Sequence, residues 1–367
     1  MIMMNAMKMA IVGLGGMGTQ HMQMIRGDFQ WYGIPVPGPI ENLTVAGCYD
    51  ISEERQEFAR NNGLHAYDSL DQLLADPEID FITVATPNNF HKEIVIKALR
   101  AGKGAISEKP VTLSSQDLQD MIDVSSETGK VFTAHQNRRW DDDFVTVKNM
   151  YETNYLGEML RIESRVPGAG RGPSGWRSKA AQGGGLLFDW GVHILDQALN
   201  MIPYKVKYVY GHLTHVIHQE VDDGFHVELT FENGLSYYLE GGNSNFIHLP
   251  RWYVMGTDGT VVIDDFLVNG KATRMSEFAK KEKVEIQLLD GRTRSMADRV
   301  KLRQGGVTVT EPYPLVRANC QDFYRNVMAA VAGEAEQLVT QCQLMRVMKL
   351  MEAVKESDRT HSVIEFE

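Results

Sequence analysis

A short apolar run at 9–12 flows directly into Gly13-x-Gly15-x-x-Gly18, and nothing else in the chain constrains its fold as tightly. A strand that ends in this spacing and opens a helix is built to hold a dinucleotide's pyrophosphate. Gly13 permits the tight turn, Gly15 lets the backbone approach the phosphates, and Gly18 lets helix and strand pack closely. The anion then rests on the unpaired N–H groups of the helix that follows.

The pattern continues as such a fold demands. Apolar runs at 43–49, 81–85, 104–106 and 131–134 alternate with helical stretches at 52–61, 91–101 and 115–128, as in a doubly wound parallel sheet. Asp50 closes the second strand, where a carboxylate accepts hydrogen bonds from adenosine ribose hydroxyls and repels a 2′-phosphate, so NAD is expected rather than NADP. It stands 37 positions after Gly13, and the insertion at 31–40, with three prolines and two glycines, accounts for the excess over about 20. That insertion reads as an ordered surface loop, either rimming the adenine end of the cofactor site or without a role.

From 141 to 367 the periodicity changes to two. Alternation at 205–215, 225–231 and 235–240, with an Asn233-Gly234 turn, predicts a large open, mostly antiparallel sheet. One helix is expected at 189–201 and two more at 317–332 and 336–355. The expected architecture is thus α/β plus α+β: a dinucleotide-binding domain at 1–140 and a substrate-binding domain at 141–367, whose sheet also offers a route to a homo-oligomer.

Composition narrows the partners. A chain of 367 residues with a net charge of −11 lacks the basic footprint of a nucleic-acid or anionic-membrane binder, which leaves a small molecule. Cys48, Cys320 and Cys342 are far apart, so neither a disulfide framework nor a metal site is expected. No signal peptide and no membrane-length apolar run is read, and a cytoplasmic protein is expected.

Three stretches carry candidate chemistry. Thr86-Pro87-Asn88 with His91, and Glu108-Lys109-Pro110, follow strand ends, where open α/β sheets bind ligands. Gly183-Gly184-Gly185 leads to Asp189 and His193, four apart and so on one helical face, where the carboxylate could orient the imidazole as a general base. A buried pair that merely caps and packs is the competing reading. His212, His215 and His218 read as sheet residues rather than ligands, and Asp141-Asp142-Asp143 as an acidic helix start. The loop at 167–175, rich in glycine, reads as flexible and precedes Trp176-Arg177, an aromatic and a donor fork suited to a sugar.

In order and placement these motifs, together with the turn at 256–260, resemble the Gfo/Idh/MocA oxidoreductases, the glucose–fructose oxidoreductase and inositol dehydrogenase superfamily. The resemblance covers nearly the whole chain. It implies NAD held by Gly13, Gly15, Gly16, Met17, Gly18, Asp50, Ile51, Thr86, Pro87, Asn88, His91, Glu108, Lys109 and Asn137. It also implies a carbohydrate-like substrate held by Lys109, Trp176, Arg177, Asp189 and His193, with Lys109, Asp189 and His193 catalytic and no metal. Oxidation of a secondary hydroxyl of a sugar, cyclitol or glycoside is the expected reaction. An ordinary lysine amine is protonated at neutral pH, which puts His193 ahead of Lys109 as the base. The same motifs accommodate glycoside cleavage through transient oxidation, hydride exchange between two sugars on retained NAD(H), or a non-catalytic regulator. A cis Lys109–Pro110 bond is a further expectation.

Overall fold

The computed structural model describes residues 6–170, 172–276 and 308–367; Arg171, within the glycine-rich loop, lies outside them. In chain order the first half runs β1 (Met7–Val12), α1 (Gly16–Arg26), a hairpin of β2 (Gln30–Trp31) and β3 (Ile34–Pro35), β4 (Leu43–Tyr49), α2 (Glu53–Asn61), β5 (His65–Ala66), α3 (Leu70–Ala75) and β6 (Phe81–Val84). It continues with α4 (His91–Arg100), β7 (Gly104–Ser107), α5 (Ser115–Thr128) and β8 (Phe132–Ala134). Six strands form a sheet in the order β5-β4-β1-β6-β7-β8, every pairing parallel. Met9, Ile11, Phe81, Ile82 and Phe132 are fully buried, as strands covered by helices on both faces must be.

The second half begins with α6 (Asp142–Glu152) and β9 (Met159–Pro167) and reaches α7 (Val192–Met201) through a π-helical turn at Leu187–Gly191. Then come β10 (Val206–Thr214), β11 (Gly224–Phe231), β12 (Ser236–Gly242), β13 (Trp252–Gly256), β14 (Gly259–Ile263), β15 (Gly270–Met275) and β16 (Thr308–Glu311). α8 (Asp322–Val331), α9 (Gln341–Thr360) and β17 (Ile364–Glu365) complete it. Among the described residues nine strands pair in the order β16-β15-β14-β13-β9-β12-β11-β10-β17, antiparallel except for β9 with β12. Phe225, Val227, Leu229 and Phe231 alternate into the core while Glu228 points out, the period-two signature of a half-covered sheet.

The last helix joins the two sheets. α9 starts on a capping box, in which the Thr340 hydroxyl takes the Gln343 N–H and the Gln343 side chain returns to Thr340. Near its end, Ser357 accepts the Gly211 N–H at 2.9 Å from β10. On the other side, Glu352 takes both the N–H and the hydroxyl of Ser115 at the start of α5, at 2.7 and 2.8 Å.

The mixed architecture matches expectation, and its departures have local causes. β5 is a two-residue edge and α3 a six-residue helix, both too short to show periodicity. The late helices start five positions after the expected ones, each where the run from its preceding loop ends. The glycine-rich loop is not free: Gly168 donates to Gly242 at 2.7 Å and Gly170 to Asn243 at 3.0 Å, fastening it beside β12. Among the described residues no helix is long and apolar enough to cross a membrane.

Candidate active site

Strand ends build the cofactor side. Gly13 adopts φ +90°, and a Cβ on Gly18 would collide with the Gly13 carbonyl oxygen, so turn and helix start can pack this way only with glycine at 18. Open space surrounds the Cα atoms of Gly15 and Gly16, and no side chain caps α1, whose first N–H groups therefore point at whatever approaches. Met17 follows in the first turn of α1. Asp50 accepts the Leu14 N–H at 2.7 Å on one oxygen and the Ser52 N–H at 2.8 Å on the other, tying the second strand end to the glycine turn. Beside it Ile51 is 91% exposed, an apolar surface in the open.

The segments after β6 and β8 complete this edge. Thr86 Oγ1 and Asn137 Oδ1 are buried with no partner among the described residues, the kind of polar atoms a dinucleotide could satisfy. Pro87 leads a short turn, and Asn88 donates to the Gly183 carbonyl at 3.0 Å, bringing the substrate-side glycine run against the cofactor side. His91 is fully buried with its nitrogens 3.0 and 2.9 Å from the Pro110 and Thr86 carbonyls, so its ring ties two strand-end loops and leaves no nitrogen free for a ligand.

Lys109 links the two sides. It precedes Pro110 through a cis bond, and its ammonium donates to the Asp189 carbonyl at 2.7 Å and carboxylate at 2.9 Å. Arg177 reaches the same carboxylate oxygen at 3.3 Å while its guanidinium lies 4.3 Å above the Trp176 ring. Burial pushes the Asp189 carboxyl up, but Lys109 and Arg177 outweigh it and hold it below the ordinary carboxylate range.

The expected Asp189–His193 pair does not form. A π-turn carries more residues per turn than an α-helix, so positions four apart no longer stack, and two cations claim the carboxylate. His193 is 4% exposed, its Nδ1 has no partner among the described residues, and Trp190 lies 5.7 Å away. Burial, followed by the charges of Lys109 and Arg138, holds its imidazole well below its usual pKa, so the ring is neutral and keeps one nitrogen as an acceptor.

Two features escaped sequence reasoning. The 31–40 insertion folds at Tyr32 and Gly33, both at positive φ, and its aromatic tip meets residues of the second half. Trp31 donates to Asp141 at 3.0 Å, and Tyr32 stacks on Phe266 at 5.2 Å. Consequently Asp141 is more than a helix-start charge, since burial pushes it up to about 7. The second feature lies beneath Lys109, where the Glu108 carboxylate meets His21 at 2.9 Å and His135 at 2.8 Å. The Tyr324 hydroxyl meets the other His21 nitrogen at 2.6 Å. These are hydrogen-bond separations. The histidine three places after Gly18 was the available signal. The other three histidines do not converge: His212 meets Asp358 and His215 the Val221 carbonyl.

Residues 7–136 match the model of the oxidoreductase family with an NAD-binding Rossmann fold, and 144–262 match the GFO/IDH/MocA C-terminal domain. A solved NAD-binding protein from Listeria innocua is 37% identical, with a TM-score of 0.84 over 98% of this chain and 97% of that one. An uncharacterised oxidoreductase of Schizosaccharomyces pombe is 28% identical over 86% of this chain and 89% of its own length. The scyllo-inositol 2-dehydrogenase (NADP(+)) of Bacillus subtilis is 25% identical over 90% of this chain and 92% of its own. With an open glycine turn, a lysine tied to Asp189 and both halves matched, the chain belongs to the Gfo/Idh/MocA oxidoreductases, enzymes built on an NAD-binding Rossmann fold.

Proposed function

We propose that this oxidoreductase converts a secondary hydroxyl of a sugar, cyclitol or glycoside to a ketone. The observation that carries this reading is the Lys109 ammonium, fixed by the carbonyl and carboxylate of Asp189, with Arg177 on the same carboxylate and a neutral His193 nearby. Gly13, Gly15, Gly16, Met17, Gly18, Asp50, Ile51, Thr86, Pro87, Asn88, Glu108, Lys109 and Asn137 would hold NAD. Bound NAD+ supplies the hydride acceptor.

The residues divide the remaining work. His193 takes the hydroxyl proton on its acceptor nitrogen as the carbinol C–H bond breaks, and Lys109 donates a hydrogen bond to the oxygen that becomes the carbonyl. Asp189 keeps Lys109 and Arg177 in place rather than steadying an imidazolium. Trp176 and Arg177 offer a ring face and a donor fork to the rest of the substrate. Asp50, already facing the glycine turn, disfavours a 2′-phosphate. Residues 1–140 serve the cofactor, and 141–367 serve the substrate and a homo-oligomer formed through the outer sheet face that exposes Tyr208 and Tyr210.

The test is NADH formation by the purified protein across inositols, aldoses and glycosides, followed by product identification. A ketone accompanied by stoichiometric NADH is expected. Released aglycone without net NADH, or no reaction with any member of the panel, would overturn the reading.

A further inference from the structure

The cluster beneath Lys109 has no part in the proton and hydride movements above. Glu108 is 4% exposed, and His21 and His135 are completely buried. One Glu108 oxygen receives both imidazoles, and the other accepts the Lys109 backbone N–H at 3.1 Å. Three donors on one carboxyl group favour its ionised form. Against the pull of burial, the two histidine bonds indeed hold it well below the ordinary carboxylate range.

Within the cluster that charge is met by the two imidazoles, so its balance turns on which protons they carry. If Tyr324 donates to Nδ1 of His21, then Nε2–H is left for Glu108 and the ring is complete while neutral. His135 gives its Nδ1–H to Glu108 and has a buried Nε2 without a partner, and burial, then the proximity of His21, lowers its pKa. The neighbouring Lys109 ammonium is engaged by Asp189. With Tyr324 as the donor to His21 the cluster is a buried monoanion, and a buried charge without its own counter-ion is costly until a cation arrives.

The three segments that meet here are those assigned to the cofactor: α1 just past Gly18, the Glu108–Lys109 strand end, and the run from His135 to Asn137. Of the two redox forms of the cofactor, only the oxidised one carries a positive nicotinamide ring. We infer that the Glu108 carboxylate, held ionised by His21 and His135, makes this site prefer NAD+ to NADH. This inference rests on the proposed placement of NAD along Glu108 and Lys109. Tyr324 on α8 makes the second half of the chain part of the device, because its hydroxyl is the partner of His21 Nδ1 at 2.6 Å.

Binding, not turnover, tests it. Full-length protein is freed of nucleotide and titrated separately with NAD+ and NADH by calorimetry, and the ratio of dissociation constants is compared among variants. Glu108→Gln keeps the shape and removes the charge; the ratio should move toward NADH by about tenfold, equivalent to about 30 mV for a two-electron couple. Glu108→Asp should restore at least half of that change on a logarithmic scale. If Glu108→Gln does not fold, His135→Asn, which weakens the hold on the carboxylate, should move the ratio the same way by about threefold. A ratio constant within twofold in every folded variant would overturn the inference and leave NAD binding intact. A wild-type protein that binds neither dinucleotide would overturn the placement of NAD as well.

Discussion

The glycine-turn side and the lysine side of the candidate site are made of different materials. The cofactor side is mostly backbone: a glycine turn, an uncapped helix start and strand-end carbonyls, drawn from segments that follow one another closely in the chain. The substrate side is mostly charge. Lys109, Arg177 and Asp189 come from three separate segments and hold one another through hydrogen bonds of 2.7–3.3 Å. Backbone sites fail when a side chain is added; charge sites fail when one is taken away. The first kind binds by shape and the second by a balance that a single substitution tips.

The sharpest way to break this contrast is Lys109→Met. It should lower kcat/KM by about 10³-fold in steady-state assays while NAD affinity, to which Lys109 is one contributor among several, falls by less than about tenfold; an equal loss of NAD binding would mean that the two sides are one. Gly18→Val should do the reverse, weakening NAD by about 100-fold in calorimetry because the new side chain meets the Gly13 carbonyl. Asp50→Gly tests selectivity within the backbone side, and the NADP+ to NAD+ ratio of kcat/KM should rise about tenfold. The pH dependence is the smallest effect. His193 has a depressed pKa in the folded protein, so its contribution to stability is present above the unfolded value of about 6.5 and is lost as pH falls toward the folded value. Asp189 behaves likewise below about 3.9. Melting temperature should decline by a few degrees between pH 7 and pH 5 in the wild type and by less in His193→Phe, and the acid limb of kcat/KM should lie below about 6.5.

The same contrast explains what could be read from the chain. The glycine turn, Asp50 and the parallel sheet are legible because strand, turn and helix signals lie within a few residues of one another. The Asp189–His193 spacing was legible too, but its meaning changed: the π-turn and the two cations are tertiary facts, and spacing alone cannot show which partner claims a carboxylate. The Glu108 cluster is less legible still. Its histidines lie 87 and 27 positions from the glutamate, and a lone histidine in a helix or after a strand carries no label. Tyr32 shows the same limit, since proline and glycine mark a loop but do not say which neighbour its aromatic tip will find.

The clasp of α9 on both sheets bears on how such proteins can be recombined. Grafting the nucleotide-binding half of this chain onto a relative would leave the Ser115 end of α5 without Glu352 and expose the surface that the last helix covers. Any chimera designed to change coenzyme preference should therefore carry the final twenty-seven residues, 341–367, from the same parent as the first half, even though they are the most distant from it along the chain.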